Sequence, residues 1–73
     1  MFSEIDVVKL KCEMPTEGLP SGQLGTIHNV NIGNPSTYLV EFCDSEGNTL
    51  AIVDVPEDQL TLVWRFSTGQ YIS

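Results

Sequence analysis

The sequence predicts a small all-β barrel of five short strands, and three observations lead to this prediction. Short runs of β-branched and aromatic residues alternate with polar residues, as half-buried strands do. Clusters of glycine and proline separate these runs, which is typical of turns and loops. Gly22 and Gly25 precede a β-branched run, and such a pattern favours a tight turn that leads into a strand.

The first predicted strand covers residues 6–12, where apolar residues alternate with lysines and face inward. Residues 13–22 then hold two prolines and two glycines, so we predict a long loop that is neither a strand interior nor a helix. We expect Met14 or Leu19 to anchor this loop in the core.

The second predicted strand covers residues 25–30, but Ile27 and Val30 would point to opposite faces of a regular strand. A bulge near Asn29 would turn both inward. Residues 31–36 form a loop by composition. The third predicted strand, Thr37–Cys43, places Tyr38, Val40 and Phe42 on one face and the other residues on the opposite face.

Residues 44–48 are the clearest hairpin signal, because Gly47 can take a positive φ. A fourth strand over residues 49–55 follows. Pro56 then suits the first position of a helical turn over residues 55–60, where its missing N–H is not needed. A fifth strand over residues 60–65 completes the set.

Five strands with one helical turn before the last strand are the order of an SH3-like barrel. An OB-fold would need a helix between the third and fourth strands, which the tight hairpin leaves no room for. We therefore predict one SH3-like domain over residues 1–65 and a C-terminal tail over residues 66–73.

The charge of the chain limits its partners. Ten acidic residues face three basic ones, giving a net charge of −7 among 73 residues. Nucleic-acid binding requires several lysines and arginines against the phosphates, so we predict no nucleic-acid partner. A basic protein would be attracted by the same charge, although the charge also serves solubility alone.

The N-terminus has no basic segment followed by an apolar run of signal length, and no run is long enough for a membrane helix. We therefore predict a cytoplasmic protein that has no membrane partner. Cys12 and Cys43 are then expected to be reduced thiols that form no disulfide.

Catalytic and metal-binding patterns are weak in this chain. His28 is the single histidine, and neither a nucleophile nor a third orienting group accompanies it locally. The sequence has no Cys-x-x-Cys pair and no second histidine, and a hairpin explains residues 44–48 better than a calcium loop does. We predict a protein that is not an enzyme and has no cofactor or metal.

Four residues are the predicted contact residues for a partner. Glu57 and Asp58 belong to an acidic set that could gather near the long loop and the helical turn. Phe66 and Tyr71 could form an exposed aromatic patch with Trp64, although Trp64 itself is interpreted as closing the bottom of the barrel. The acidic set is Glu13, Glu17, Asp54, Glu57 and Asp58.

The chain resembles a family of short bacterial proteins known only as a domain of unknown function. The resemblance covers residues 5–62 and rests on three stretches: Asp-Val-Val-Lys-Leu from Asp6, Gly-x-x-Gly-Thr-Ile-x-x-Val from Gly22, and Tyr-x-Val-Glu-Phe-x-Asp-x-x-Gly-x-Thr from Tyr38. It implies an SH3-like barrel, no assigned chemistry and no functional residues. Members encoded beside genes for nuclease-like toxins suggest an antidote role.

The first functional hypothesis is a non-catalytic module that binds another, basic protein, with neutralisation of a nuclease toxin as its narrower version. The alternative is an accessory subunit of a larger bacterial enzyme complex. RNA binding and independent catalysis are weaker hypotheses, because the chain lacks basic residues and a catalytic constellation.

Overall fold

The computed structural model describes residues 2–71, which form six β-strands and two short 3₁₀ turns. The protein is all-β, and all six strands belong to one antiparallel sheet with the order β4-β3-β2-β1-β5-β6. The strands are β1 (Val7–Leu10), β2 (Leu24–Asn31), β3 (Thr37–Cys43), β4 (Thr49–Pro56), β5 (Leu60–Arg65) and β6 (Gln70–Tyr71). The 3₁₀ turns are Pro15–Glu17 and Glu57–Gln59.

The sheet is open, with β4 and β6 at its two edges, where a five-stranded barrel was predicted. The additional strand comes from the predicted tail. Gly69 adopts a φ of 65° and its N–H donates to the Arg65 carbonyl at 2.8 Å, so the chain turns back along β5. Tyr71 then pairs with Trp64, and Gln70 pairs with Arg65. Residues 72 and 73 of the predicted tail lie outside the described residues.

The core lies on one face of the sheet, and the inward residues of β3 are its centre. Tyr38, Val40 and Phe42, which were predicted to share one face, are completely buried. Leu19 is also buried and Met14 packs against the core, which confirms that the long loop is anchored there. The other members of the buried cluster are Val8, Leu10, Ile27, Val55 and Leu60.

The two 3₁₀ turns differ from the prediction. Residues 15–17 of the long loop form a 3₁₀ turn that begins with Pro15 and ends at Gly18, whose φ is 69°. Pro56 is the last residue of β4 and precedes the second turn, which begins at Glu57. Because the φ of −67° that proline imposes also suits an extended strand end, Pro56 does not have to lie inside the turn.

The predicted bulge in β2 is confirmed. The pairing of β2 with β3 shifts between Ile27 and Asn29, so that His28 is the extra residue. Ile27 is therefore buried and Val30 packs against the core from the same side of the sheet. His28 itself is exposed on the surface.

Asp44 closes the β3–β4 hairpin through its own carboxylate. Its Oδ1 accepts hydrogen bonds from the backbone N–H groups of Asn48 and Glu46, each at 2.9 Å, while Gly47 has a φ of 86°. The Asn48 side chain donates to the other oxygen at 3.2 Å. The carboxylate therefore serves the turn itself, as expected of a hairpin.

A pH dependence of stability follows from this hairpin. The bond from the Asn48 backbone N–H, supported by the other turn donors, lowers the pKa of Asp44 from its ordinary value of 3.8. A carboxylate with a lowered folded-state pKa stabilises above its unfolded pKa and loses that contribution as the pH falls through the folded value. We expect the stability difference between wild type and Asp44→Asn to shrink below pH 3.8, as measured by urea unfolding. A constant difference down to acidic pH would contradict this role.

Candidate functional site

Three aromatic side chains form an exposed cluster at the β5–β6 edge of the sheet. The ring centroids of Trp64 and Phe66 are 5.8 Å apart, and those of Trp64 and Tyr71 are 6.5 Å apart. Phe66 is 55% exposed and Tyr71 is 80% exposed. Trp64, which was interpreted as closing the bottom of the barrel, is half-buried and lies outside the core cluster. We call these three residues the aromatic cluster.

The buried carboxylate of Asp6 fixes the backbone of the aromatic cluster. Asp6 is 0% exposed, which is rare for aspartate unless its charge is paired. Its Oδ1 accepts a hydrogen bond from the Phe66 N–H at 2.9 Å, and its Oδ2 accepts one from the Ser3 N–H at 2.9 Å. The Arg65 guanidinium lies 3.8 Å from the same Oδ2. One carboxylate therefore joins the N-terminal turn to the chain that leaves β5.

The sequence did not reveal Asp6 as a site residue. One local pattern pointed to a contact of Asp6: Ser3 and Asp6 are three residues apart. At this spacing a short polar side chain often bonds to the backbone and closes a turn. The Asp6 backbone N–H indeed donates to the Ser3 carbonyl at 3.1 Å. The contact with Phe66 spans 60 residues and carries no local signal.

Glu57 and Asp58 line a second feature, an open groove of about 550 Å³. The loop residues Gly33–Ser36 form another wall, and Phe2 and Lys11 also line it. The structure therefore brings two predicted acidic residues to the predicted 31–36 loop, but it adds a lysine to the same groove. Asp54 of the predicted acidic set lies elsewhere, on β4 across from Leu39.

Glu57 and Asp58, the two acidic residues of the groove, differ in their contacts and in their exposure. The Tyr38 hydroxyl donates to Glu57 and accepts from the Phe2 N–H at 3.2 Å, and the Phe2 and Tyr38 rings pack edge to face at 5.2 Å. Burial, followed by the bond to Glu57, raises the pKa of Tyr38 above its ordinary value of 10.0. Glu57 thus has a structural partner, whereas the Asp58 side chain is exposed.

His28 belongs to a polar contact across three strands on the exposed face of the sheet. Its Nε2 lies 2.6 Å from Glu41 Oε1, and the Thr49 hydroxyl donates to the other carboxylate oxygen. The bond from Thr49, followed by the bond with His28, lowers the pKa of Glu41 below its ordinary value of 4.5. Each carboxylate oxygen of Glu41 therefore bonds to a side chain of a neighbouring strand.

The two cysteines of the chain are free thiols. Cys12 is exposed and Cys43 is half-buried. Over residues 2–71, no three histidine, cysteine, aspartate or glutamate side chains group closely enough to hold a metal ion. In the same part of the chain, no helix has the length and apolar character required to cross a membrane.

Fold and site together define a small all-β protein with one open antiparallel sheet and an ordered aromatic cluster at one edge. The chain belongs to the family described as Domain of unknown function (DUF4926), which matches residues 4–62. Searches of the curated proteins and of the solved structures find no match. The aromatic cluster lies after the matched region, so the family match does not extend to it.

Proposed function

We propose that this protein is a non-catalytic module that binds another protein with a basic surface. The observation that carries the proposal is the aromatic cluster, in which Phe66 and Tyr71 are exposed while Trp64 contacts both rings. Aromatic side chains are enriched among the residues that supply most of the binding energy at protein interfaces. Because β6 pairing and Asp6 already order this segment, binding would immobilise few additional groups.

The charge of the chain supports a basic protein as the partner. A net charge of −7 attracts a positively charged surface and accelerates association, and this effect weakens as salt increases. The chain has only three cations, and Arg65 lies beside the buried Asp6 carboxylate. Nucleic acid is a poor match for this surface, because its phosphates require several free lysines or arginines.

The same surface fits one narrower version of this function and one alternative to it. An acidic protein suits the neutralisation of a nuclease-like toxin, because a toxin that acts on nucleic acid needs a basic surface to bind it. The alternative is an accessory subunit of a larger bacterial enzyme complex, whose other subunits would cover the exposed aromatic cluster. We also propose that the sheet is a partly open SH3-like barrel, which the order of β1 to β5 and the 3₁₀ turn between β4 and β5 support.

The test compares capture of partners from source-cell lysate by tagged wild type and variants. We expect Phe66→Ser/Tyr71→Ser to lose the wild-type partner, because it removes the exposed rings and leaves the core untouched. Asp58→Lys should slow association at low salt, whereas Glu46→Lys on the β3–β4 hairpin is the charge-matched control. Asp58 is preferred to Glu57 because replacing Glu57 would also break the contact with Tyr38.

The outcomes separate the versions of the proposal. A single basic nuclease, lost with the aromatic variant, would favour the antidote role. A salt-resistant set of subunits from one complex would favour the accessory role. A partner that the aromatic double variant retains in full would contradict the aromatic cluster as the binding surface. Retention of the chain on RNA at physiological salt would favour RNA binding over the proposed function.

A further inference from the structure

We propose that the free edge of β4 is a second contact, at which an extended, basic segment of the partner adds a strand to the sheet. The proposed function supplies only the basic partner; the edge itself is a separate observation. β4 is the outermost strand on its side of the sheet and, within residues 2–71, pairs with β3 alone. Its eight residues give an edge about 26 Å long, at about 3.3 Å per residue.

Most of this edge is free of the devices that usually prevent strand addition. Natural edge strands are blocked by charged side chains, especially lysine, by prolines, by bulges or by short length. β4 has one charged residue, Asp54, and no lysine, and Pro56 is only its last residue. The bulge opposite Phe42 and Cys43 affects only its first residues, so six consecutive pairs from Pro56 to Ala51 are regular. Within residues 2–71, a regular stretch of backbone donors and acceptors is therefore unpaired on the outer side of β4.

The side chains on the exposed face of β4 indicate what such a strand would carry. Leu50 is 47% exposed and Ile52 is 54% exposed, so apolar side chains of a partner would find contacts there. Asp54 is exposed two residues after Ile52 and therefore lies on the same face of the strand. An opposite-charge pair across neighbouring strands is favourable, so a segment with an apolar residue opposite Ile52 and a lysine or arginine opposite Asp54 suits this edge.

A second copy of the chain is a poor occupant of the same edge. It would place two chains of net charge −7 together, with Asp54 on each contributing edge. Neither β3 nor β4 has a lysine or arginine to balance these carboxylates, because the three cations are Lys9, Lys11 and Arg65. Charge complementarity therefore selects a basic partner segment.

The probe for this inference is a seven-residue capped peptide, Thr-Val-Thr-Lys-Thr-Val-Thr, in which valine and lysine share one face of an extended strand. Its control has the same sequence with N-methyl groups on alternate residues, which keeps the charge and removes the hydrogen-bond donors of one edge. We expect NMR titration to place binding of the first peptide at β4, with slower hydrogen exchange of β4 amides that do not pair with β3. The N-methylated peptide should bind at least about tenfold more weakly, as loss of several backbone hydrogen bonds requires.

Charge reversal of the edge gives the second readout. Asp54→Lys should weaken the lysine–valine peptide about threefold to tenfold, the range expected from exchanging a favourable cross-strand pair for a repulsive one. Glu4→Lys, at an exposed residue of the N-terminal turn, changes the net charge by the same amount away from the edge and should have the smaller effect. Equal affinity of the two peptides, or protection on elements other than β4, would overturn the inference, and a wild-type dimer joined through β4 would assign the edge to a second copy.

The edge and the proposed function fail in different ways. If the captured partner is lost with the aromatic variant but binds Asp54→Lys as tightly as wild type, the edge inference is wrong and the proposed function stands. If the peptide adds a strand to β4 but no protein partner is captured, the proposed function is contradicted and the edge inference stands.

Discussion

Gly25→Ala is expected to lower the free energy of unfolding by about 2 kcal/mol, within the range for overpacking a well-packed core. A Cβ at Gly25 would lie 2.6 Å from Val40 Cγ1 and 2.8 Å from Phe42 Cδ1, and both side chains are completely buried. Replacing glycine by alanine at an unstrained site usually stabilises by about 0.4–1 kcal/mol. The steric clash costs more than this gain, so Gly25→Ala lowers the free energy of unfolding overall. Gly25→Val adds further atoms at the same place and should lower it more.

Urea unfolding measures this change, and a second substitution tests its cause. Val40→Ala removes the Cγ1 atom that the new Cβ would meet. The double variant Gly25→Ala/Val40→Ala should therefore lose less than the sum of the single losses, by at least about 0.5 kcal/mol. A Gly25→Ala variant as stable as wild type would show that the contact between β2 and β3 is looser than described.

Asp6→Ala is expected to cost about 3 kcal/mol of unfolding free energy. Hydrogen bonds to a charged group contribute about 1.5–3 kcal/mol each, and Asp6 accepts two from backbone N–H groups while Arg65 lies nearby. Part of that gain is offset in the wild type by the desolvation of the carboxylate. Asp54→Ala is the control, because an exposed aspartate without such contacts should change stability by less than about 0.5 kcal/mol.

The same variant tests whether Asp6 orders the aromatic cluster. The Phe66 N–H loses its acceptor in Asp6→Ala, so its hydrogen exchange should accelerate more than that of the core amides of β3. Asp6→Asn keeps one side-chain carbonyl oxygen and should show an intermediate effect. Unchanged protection of the Phe66 amide in Asp6→Ala would contradict the role of this carboxylate, whatever the loss of stability.

Five strands were predictable because their side chains alternate at the residues that face the core. Tyr38, Val40 and Phe42 show this most clearly, and the mismatch of Ile27 with Val30 also revealed the bulge in β2. β6 was not predictable, because it has only two residues and depends on pairing with β5. An open sheet was likewise not predictable, since alternation specifies faces of strands but not whether the outer strands meet.

The candidate site was predictable in its residue types but not in its construction. Phe66 and Tyr71 were predicted as contact residues because they are apolar residues in a segment with no clean strand period, and Glu57 with Asp58 follows from the turn signal at Pro56. The Phe66–Asp6 bond joins residues 60 positions apart, and the Tyr38–Glu57 bond joins different elements. Such contacts depend on tertiary packing, which no local pattern of this chain encodes.

Site-specific photo-cross-linking at position 71 tests the proposed binding function most directly. Tyr71 is 80% exposed, so p-benzoylphenylalanine can replace it without entering the core, and Ser45 on the β3–β4 hairpin is the exposed control position. In source cells, we predict one dominant cross-link from position 71 to a basic protein and none to that protein from position 45. No cross-link from position 71, or the same cross-links from both positions, would contradict the aromatic cluster as a protein-binding surface.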